Sequence, residues 1–445
     1  MTTKPEQAVY TLVVGLGKTG LSVVRYLHAL GEAVIVVDSR DIPPGLNVLK
    51  SEYGDVELHT GAFDVSLFTN AHRIIVSPGV ALAEPELVAA RKNNIEIIGD
   101  IDLFAHEVKA PVVGITGSNG KSTVTTLLAM MASQSGLKTV ASGNIGLPVL
   151  DSLSDEIGLY VLELSSFQLE TLQSLPMKAA VVLNISADHL DRYKDLAAYA
   201  MSKQVIYENA DVLVVNKDDA LASQINHPAR KRLCFTSGVA ADNEFGLCDI
   251  DPVSLCFGQQ KLIAVDDLKI KGKHNIQNAL AALTLGYAIG LSIEDMIVAL
   301  KQFKGLPHRA QFVAQIDGVN WINDSKATNV GATIAALLGL PNKHVLIAGG
   351  IAKGADFAEL TEIVRQKCRA VILLGKDAEK IQSVMPEEVT VKRVNDMQSA
   401  VIAAQALAQQ GDNVLLAPAC ASFDMFENFE QRGDVFIQSV EALKS

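Results

Sequence analysis

Residues 111–123 of the chain read PVVGITGSNGKST, a short apolar run followed by a glycine-rich turn and a Gly-Lys-Ser triplet. The run predicts a buried strand, and the residues from Lys121 to Ser135 predict the helix that follows the turn. Backbone N–H groups of such a turn can surround phosphates, while Lys121 reaches the β and γ oxygens and Ser122 binds Mg²⁺. The strict phosphate-loop pattern requires glycine at position 115, where this chain has Ile115. The stretch therefore predicts ATP binding, and the alternative is a chance Gly-Lys-Ser at a helix start.

Apolar runs like this one alternate with amphipathic, helix-length segments over most of the chain. Unbroken runs rich in β-branched residues, separated by helices, are typical of parallel sheets that helices cover on both faces. We predict strands at residues 10–15, 33–38, 73–76, 111–116, 159–164, 179–184, 211–216, 344–348, 370–374 and 413–417. The fold class is therefore α/β. The more polar stretch 234–273 predicts an antiparallel edge or an insertion.

The length of the chain and two breaks in the pattern predict three domains. A length of 445 residues corresponds to two to four domains at ~100–200 residues each. A fresh strand begins after residues 108–110, and a predicted helix ends at Phe303 shortly before Gly305 and Pro307. We therefore expect a Rossmann-like N-terminal domain at 1–108, a P-loop ATPase domain at 109–305 and a Rossmann-like C-terminal domain at 306–445.

Charge and cysteine content argue against several classes of protein. The formal net charge of -12 gives no electrostatic encouragement to bind nucleic acid or an anionic membrane. The five cysteines form no CxxC pair, and their odd number in a long chain argues against a disulfide framework, so a reduced, cytoplasmic setting is expected. No apolar run approaches the ~18 residues of a membrane span, and the N-terminal MTTKPEQA lacks the apolar region of a signal peptide.

A second glycine-rich turn, GLGKTG at residues 15–20, follows the first predicted strand, and Asp38 ends the next strand. This spacing satisfies the dinucleotide fingerprint, in which glycines let backbone N–H groups approach a diphosphate. The ligand could be NAD, another nucleotide diphosphate, or none if the glycines only make a tight turn. Combined with the ATP loop, it argues against a plain dehydrogenase and favours an ATP-using enzyme that holds a second nucleotide-bearing substrate. An NAD-dependent oxidoreductase and a nucleotide-binding regulator without turnover remain alternatives.

The segment TGSNGKST at 116–123 resembles the nucleotide loop of the Mur ligases and the folylpolyglutamate synthases. Further segments agree in order: ELSSFQ at 163–168, NISADHLDR at 184–192, GKHNIQN at 272–278, LPHR at 306–309, NDSKATN at 323–329 and APACASFD at 417–424, where a serine is expected in place of Ala417. The front end GLGKTG with DSR at 38–40, together with PACASFD, most resembles the Mur ligase that adds D-glutamate to UDP-N-acetylmuramoyl-L-alanine. The resemblance implies an ATP-dependent ligase of peptidoglycan precursor synthesis that works through an acyl phosphate. A different acceptor, as in the folylpolyglutamate synthases, is the alternative within this group.

The same resemblance implies roles for particular residues. The implied catalytic residues are Lys121, His189, Lys203 and Lys326, and the implied ligands of two Mg²⁺ ions are Ser122, Glu163, His189 and Lys203. The implied ATP contacts are Gly117, Ser118, Asn119, Gly120, Lys121, Ser122, Thr123, Asn275, Asn278, Arg309, Asp324 and Lys326. Lys18, Thr19, Asp38, Ser39 and Arg40 are expected at the UDP group, Ser77, Gly79 and Asn144 at the sugar and pyrophosphate, and Thr328, Lys353, Ser422 and Phe429 at D-glutamate.

Two of these residues also carry a physical argument of their own. Glu163 ends an apolar strand, where a carboxylate is costly to bury unless it is paired or bound to a metal. Lys203 lies on the apolar face of a predicted helix over 195–209, and the resemblance implies that it is carbamylated, against the alternative of a lysine that extends to solvent. We expect a monomer that takes small-molecule substrates, closes its domains around them, and neither binds nucleic acid nor inserts into a membrane.

Overall fold

The structure is a computed structural model that describes residues 9–189, 192–224, 230–248 and 252–444. Three sheets follow one another along the chain, so the predicted α/β class with three domains is confirmed. The N-terminal octapeptide on which the signal-peptide prediction rests lies outside the described residues. So do Leu190 and Asp191 of the NISADHLDR segment.

The first sheet is wholly parallel and has the strand order β3-β2-β1-β4-β5. Its strands are β1 Thr11–Val14, β2 Val34–Asp38, β3 Glu57–Thr60, β4 Arg73–Val76 and β5 Glu96–Ile98, and its helices are α1 Lys18–Ala29, α2 Leu46–Glu52, α3 Val65–Thr69, α4 Pro85–Lys92 and α5 Asp100–Glu107. The central strand β1 is fully buried because helices cover both faces. The order of strands reverses between β1 and β4, and such a switch point opens a crevice at the carboxyl ends of the strands.

The second sheet has the order β14-β13-β12-β11-β10-β9-β6-β8-β7. Its strands are β6 Val112–Thr116, β7 Thr139–Gly143, β8 Leu159–Glu163, β9 Met177–Val182, β10 Ala210–Asn216, β11 Lys231–Val239, β12 Phe245–Cys248, β13 Ser254–Phe257 and β14 Gln260–Ala264. Its helices are α6 Lys121–Gln134, α7 Ser166–Leu169, α8 Leu196–Gln204, α9 Lys273–Ala288 and α10 Ile293–Gln302. The predicted antiparallel edge exists at β12–β14, but β11 and β12 join the sheet in parallel.

The third sheet has the order β15-β16-β20-β17-β18-β19, and only its edge strand β15 is antiparallel among the strands described. Its strands are β15 Gln311–Ile316, β16 Val319–Asn323, β17 His344–Ala348, β18 Cys368–Leu373, β19 Thr390–Arg393 and β20 Asn413–Leu416. Its helices are α11 Val330–Gly339, α12 Leu360–Lys367, α13 Ala378–Gln382, α14 Met397–Leu407 and α15 Phe429–Glu441. Short 3-10 turns lie at Leu150–Ser152, Val205–Tyr207, Val265–Asp267 and Ala442–Lys444.

The predicted apolar strands are present, whereas short polar edge strands were not predicted. β3 and β19 are largely exposed, so they carry no buried apolar run from which they could be predicted. The predicted helix over 195–209 is shorter, because α8 ends at Gln204 and a 3-10 turn follows. None of the described helices is long and apolar enough to cross a membrane.

One pair of cysteines is joined although its spacing gave no sign of it. The structure joins Cys248 and Cys256 in a single disulfide, which is not the disulfide framework that the sequence argues against. The two residues lie on the paired strands β12 and β13, and antiparallel pairing brings them together although no CxxC spacing marks them. Cys234, Cys368 and Cys420 are free thiols.

Candidate functional site

The phosphate loop between β6 and α6 owes its shape to two glycines with positive φ. Gly117 has φ 147° and Gly120 has φ 86°, conformations that side chains rarely adopt. A Cβ atom at Gly117 would lie 3.0 Å from Leu183 Cβ, and one at Gly120 would lie 2.3 Å from Asn278 Oδ1. Position 115 lies within β6 and is fully buried, so Ile115 belongs to the core and not to the turn.

The side chains of this loop fasten it to its surroundings. Lys121 Nζ donates to the carbonyls of Gly117 and Ser118 at 2.8 and 2.9 Å. Ser118 Oγ donates to the carbonyl of Ser186 and accepts from its N–H, so this residue ties the loop to the segment that precedes His189. The N–H of Ser118 also donates to the carbonyl of Asn184 at 2.9 Å, so the ATP contact of Ser118 stays a prediction.

Glu163 is buried at the end of β8, 2% exposed, beside this loop. Its Oε1 accepts a hydrogen bond from Asn144 Nδ2 at 2.8 Å, while Oε2 has no partner in the described part of the chain. A buried carboxylate oxygen without a partner is costly. A divalent cation would satisfy Oε2, and Ser122 at the start of α6 offers a second oxygen ligand.

The other two predicted metal ligands are His189, in the connection between β9 and α8, and Lys203 on α8. His189 has φ 55°, and its ring packs edge-on against Phe167 with centroids 4.8 Å apart. Lys203 on α8 is 1% exposed, and its Nζ lies 4.6 Å from the ring centroid of Tyr199. Burial, together with the charge of Lys121, holds the pKa of Lys203 well below its usual range. The described residues contain no group of three or more His, Cys, Asp or Glu that could hold a metal.

A cavity beside the phosphate loop, which we term the loop cavity, lies between the central and C-terminal domains. The predicted ATP contacts that line it are Asn119, Gly120, Thr123, Asn275, Asn278, Arg309, Asp324 and Lys326, and the sequence analysis did not name the further lining residues Asn184, Asn216, Phe235 and Gln277. Arg309 Nη2 donates to Ser122 Oγ at 2.6 Å and so joins the C-terminal domain to the phosphate loop. Burial raises the pKa of Asp324 to about 6 and lowers that of Lys326 to about 8.

A second, larger opening, which we term the long cleft, has a volume of about 1060 Å³ and is lined by all three domains. Every residue predicted to meet the UDP group, the sugar or the pyrophosphate lines it, namely Lys18, Thr19, Asp38, Ser39, Arg40, Ser77, Gly79 and Asn144. Arg309, Lys326 and Phe429 line it from the C-terminal domain. A cleft of this size exceeds ordinary small-molecule pockets of ~300–1,000 Å³, as a nucleotide-linked substrate requires.

Asp38 supports the long cleft through its neighbours, because both of its oxygens are already engaged. Asp38 Oδ2 accepts from the N–H of Leu16 at 2.7 Å, and both oxygens accept from the Arg40 guanidinium. Burial alone would raise the pKa of Asp38, but the hydrogen bonds from Arg40 and Leu16 hold it below its usual value. The side chain of Arg40 remains 52% exposed and is thereby oriented at the rim of the cleft.

The residues predicted to bind D-glutamate are brought together only in part. Thr328 and Lys353 line a third cavity, the Lys353 cavity, together with Asp188 and His189. Ser422 is buried and lies outside the lining of all three cavities, next to the Ile351–Ala421 backbone bridge. Phe429 lines the long cleft, and the Nζ atom of Lys326 lies 3.7 Å from the centroid of its ring.

Two residues that organise this site, Asn184 and Arg192, were not among the predicted site residues. Asn184 Oδ1 accepts from the N–H of Asn119 at 2.8 Å and so shapes the phosphate loop. Arg192 Nη2 donates to the carbonyl of Val80, which joins the central domain to the rim of the long cleft. Both residues belong to the segment 184–192, so the available signal was the polar composition of that segment.

Comparisons with known proteins agree along the whole length of the chain. The sequence matches the family descriptions "Mur ligase MurD-like, N-terminal domain" over residues 9–99, "Mur ligase middle domain" over 115–286 and "Mur ligase, glutamate ligase domain" over 308–420. It is 50% identical to a UDP-N-acetylmuramoylalanine--D-glutamate ligase of Nitrosococcus oceani, over 99% of this chain and 98% of that protein. It is 49% identical to the proteins of the same name from Pseudomonas putida and Pseudomonas aeruginosa, over 98% of each chain.

Solved structures with the same fold are more distant in sequence. A pseudomurein peptide ligase type C from Methanothermus fervidus superimposes with a TM-score of 0.63 at 21% identity, covering 98% of this chain and 100% of that one. UDP-N-acetylmuramate-alanine ligase MurC from Thermotoga maritima gives a TM-score of 0.61 at 18% identity, over 98% of this chain and 99% of that one.

The fold and the site define a three-domain, nucleotide-using enzyme in which an ATP-type phosphate loop faces a second nucleotide cleft. The three family matches run in order through all three domains, and the curated relatives are about half identical over the full length. The chain belongs to the Mur ligase family.

Proposed function

We propose that the chain catalyses the ATP-dependent addition of D-glutamate to UDP-N-acetylmuramoyl-L-alanine in peptidoglycan precursor synthesis. The observation that carries the proposal is the long cleft, which connects the first glycine loop to Ser122 of the phosphate loop and to Arg309 and Lys326. A substrate whose UDP group lies at the first domain would extend its terminal carboxylate toward the γ-phosphate of ATP. Relatives that carry the name of this activity, about 50% identical over the full length, support the same substrate pair.

The chemistry requires a carboxylate to be converted into an acyl phosphate, which the amine of D-glutamate then attacks with loss of phosphate. Two anions, carboxylate and triphosphate, must meet, and cations fixed around them lower the barrier. Lys121, Arg309 and Lys326 converge on this point from two domains, and burial lowers the pKa of each. We infer that Lys121 and Lys326 neutralise the transferring phosphate, while Arg309 orients it from the C-terminal domain.

Glu163 and Ser122 would hold one Mg²⁺ at this point, and His189 would hold a second. The unpartnered Oε2 of Glu163 fits such an ion, since it is buried and otherwise unsatisfied in the described structure. When bound, Mg²⁺ shields the charges of the triphosphate and the carboxylate. Asn144 fixes the other Glu163 oxygen, so the direction in which Oε2 points is set by the protein.

Lys203 is proposed to be carbamylated, which would turn a buried cation into an anionic oxygen ligand. The neutral amine adds to CO₂ through a new N–C bond and releases one proton. Burial and the charge of Lys121 disfavour the protonated form of Lys203 by more than the carboxylates of Asp188 and Glu163 favour it. Labelling with ¹³C-bicarbonate tests this: a carbamate carbonyl resonance is expected in the enzyme and is expected to be absent from Lys203→Arg. The same spectrum from both proteins would remove Lys203 from the metal set.

The Lys353 cavity is proposed to take D-glutamate. Lys353 offers a cation for a carboxylate, Thr328 offers a hydroxyl, and His189 lines the same cavity. Ser422 and the backbone near Phe429 remain proposed contacts. A monomer in the cytoplasm is also proposed, with domain boundaries near 108/109 and 305/306.

The test is ATP turnover with UDP-N-acetylmuramoyl-L-alanine and a panel of acceptors: D-glutamate, L-glutamate, L-lysine, meso-diaminopimelate and L-alanine. ADP release that requires both substrates and selects D-glutamate is the expected result. Turnover with another amino acid would keep the ligase chemistry and change the acceptor. Tight NADH binding without any turnover, with bicarbonate present, would refute the proposal in favour of an oxidoreductase.

A further inference from the structure

Asn329 stands where the C-terminal domain meets the two catalytic segments of the central domain. It directly precedes α11 and is 7% exposed. Its Nδ2 donates to Asn119 Oδ1 of the phosphate loop at 3.3 Å and to Asp188 Oδ2 at 3.1 Å. Asp188 immediately precedes His189, so one amide group contacts both the ATP loop and the proposed metal segment.

The two contacts of the Asn329 amide nitrogen form what we term the amide bridge. The same side chain also caps α11, which is a separate structural role. Asn329 Oδ1 accepts from the N–H of Ala332 at 2.8 Å and thereby caps α11. The cap uses the oxygen, whereas the bridge uses both protons of the nitrogen. An aspartate at this position would keep the cap and lose both donors.

The first turn of α11 packs closely against the segment that the amide bridge contacts. A Cβ at Gly331, two residues further along the chain, would lie 2.9 Å from Ser186 Oγ, so the first turn of α11 packs directly against the segment before Asp188. Thr328, the neighbour of Asn329, lines the Lys353 cavity together with Asp188 and His189. Movement of Asn329 relative to Asp188 would therefore open this cavity.

We infer that Asn329 is a positioning residue that holds the C-terminal domain against the phosphate loop and the His189 segment, and so assembles the Lys353 cavity for the acceptor amino acid. The inference rests on the proposed ligase function and deepens it, because it assigns the domain contact on which acceptor binding depends. Neither Asn329 nor Asp188 lines the long cleft, so binding of the UDP-linked substrate is expected to be independent of the bridge.

The experiment compares Asn329→Asp and Asn329→Ser, which keep a capping oxygen, with Asn329→Ala, which removes both functions. Asn329→Asp also places a carboxylate beside Asp188. For Asp and Ser we expect kcat/KM for D-glutamate to fall ~10- to 100-fold, because two buried hydrogen bonds are lost, while KM for the UDP-linked substrate changes less than ~threefold. The melting temperature of Asn329→Ser, which keeps a capping oxygen and adds no charge, stays near that of the unmodified enzyme, whereas that of Asn329→Ala falls. Asp396→Asn, the reverse exchange at the exposed cap of α14, is the matched control and leaves both properties unchanged.

The outcomes separate the inference from the function on which it rests. Absence of ligation by the unmodified enzyme with every acceptor would refute the proposed function. An active enzyme in which Asn329→Ser keeps the full kcat/KM for D-glutamate would refute the bridge. A loss that follows melting temperature across the three variants would also refute it, because the cap alone would then account for the effect. Small-angle scattering with ATP analogue, UDP-linked substrate and D-glutamate adds a readout without turnover: Asn329→Asp is expected to stay more extended than the unmodified enzyme, and identical curves would count against the bridge.

Discussion

Replacing Asp100 by asparagine is expected to change how stability depends on pH. Asp100 begins α5, the helix between the first and second sheets, and is 3% exposed. Burial, with a contribution from the charge of Asp102, raises the pKa of Asp100 to about 7 from 3.8. Because the folded chain holds this proton more tightly than the unfolded chain, the contribution of Asp100 to stability is largest in acid and falls as pH rises from about 4 to 7.

The size of the effect follows from the shift. A difference of ~3 pKa units at ~1.4 kcal/mol per unit gives about 4 kcal/mol, lost by the unmodified protein between pH 4 and 7 and constant above. An asparagine at this position would carry no charge at any of these pH values, so Asp100→Asn should be increasingly more stable than the unmodified chain as pH rises through this window. Unfolding in urea at pH 4.5, 6, 7 and 8.5 measures the difference between the two proteins.

Asp64→Asn is a matched control for which the expected pH dependence of stability has the opposite sign. Asp64 is an exposed helix cap whose pKa is lowered by the N–H of Ser66, so its contribution is present at neutral pH and is lost as pH falls through the lowered pKa. Asp64→Asn should therefore differ from the unmodified chain most at neutral pH. If the difference between Asp100→Asn and the unmodified protein is the same at every pH, the buried ionisation inferred for Asp100 is wrong.

Three further substitutions test the site. Glu163→Gln is expected to remove most activity and to raise the Mg²⁺ concentration that ligation requires, because an anionic ligand is lost. Initial rates across a Mg²⁺ titration check this, and an unchanged Mg²⁺ profile would contradict the metal role. Arg309→Ala should lower kcat by ~10- to 100-fold because the charged hydrogen bond to Ser122 is lost, and a steady-state assay that finds kcat intact would remove Arg309 from the reaction. Arg432→Ala should destabilise the protein by about 3 kcal/mol, since the buried guanidinium donates to the hydroxyl and carbonyl of Ser325. Thermal melting measures this loss, and a melting temperature equal to that of the unmodified protein would refute the prediction.

Sequence alone predicted the parts of the fold that depend on local pattern. Apolar runs such as residues 344–348 predicted buried strands with the observed bounds, because a strand covered on both faces needs continuous apolar residues. β3 and β19 could not be predicted in this way, since an exposed edge strand is held by backbone pairing alone. The Cys248–Cys256 disulfide depends on strand register, which no spacing rule specifies.

In the candidate site, too, features set by adjacent residues were predictable, whereas features set by distant residues were not. The two glycine loops were predictable because their conformation is encoded in adjacent residues, as the positive φ of Gly120 illustrates. Asp38 accepts a hydrogen bond from the backbone of Leu16, and Asn329 donates one to Asp188. Both contacts join residues that are distant along the chain, so sequence composition gave no sign of either. Ser422, predicted from resemblance, is buried outside the cavities, which leaves its contact with D-glutamate a prediction.

The charges of the site explain why its substrates are anions. Burial lowers the pKa of Lys121, Arg309 and Lys326, and the charge of Arg309 lowers that of Lys121 and Lys326 further, while Glu163 opposes each of these shifts. Burying these cations close together costs free energy in the unliganded protein, because they lose hydration and like charges repel in a weakly polar surrounding. In the proposed reaction, a triphosphate and a carboxylate would offset that cost on binding, at the point where the acyl phosphate must form.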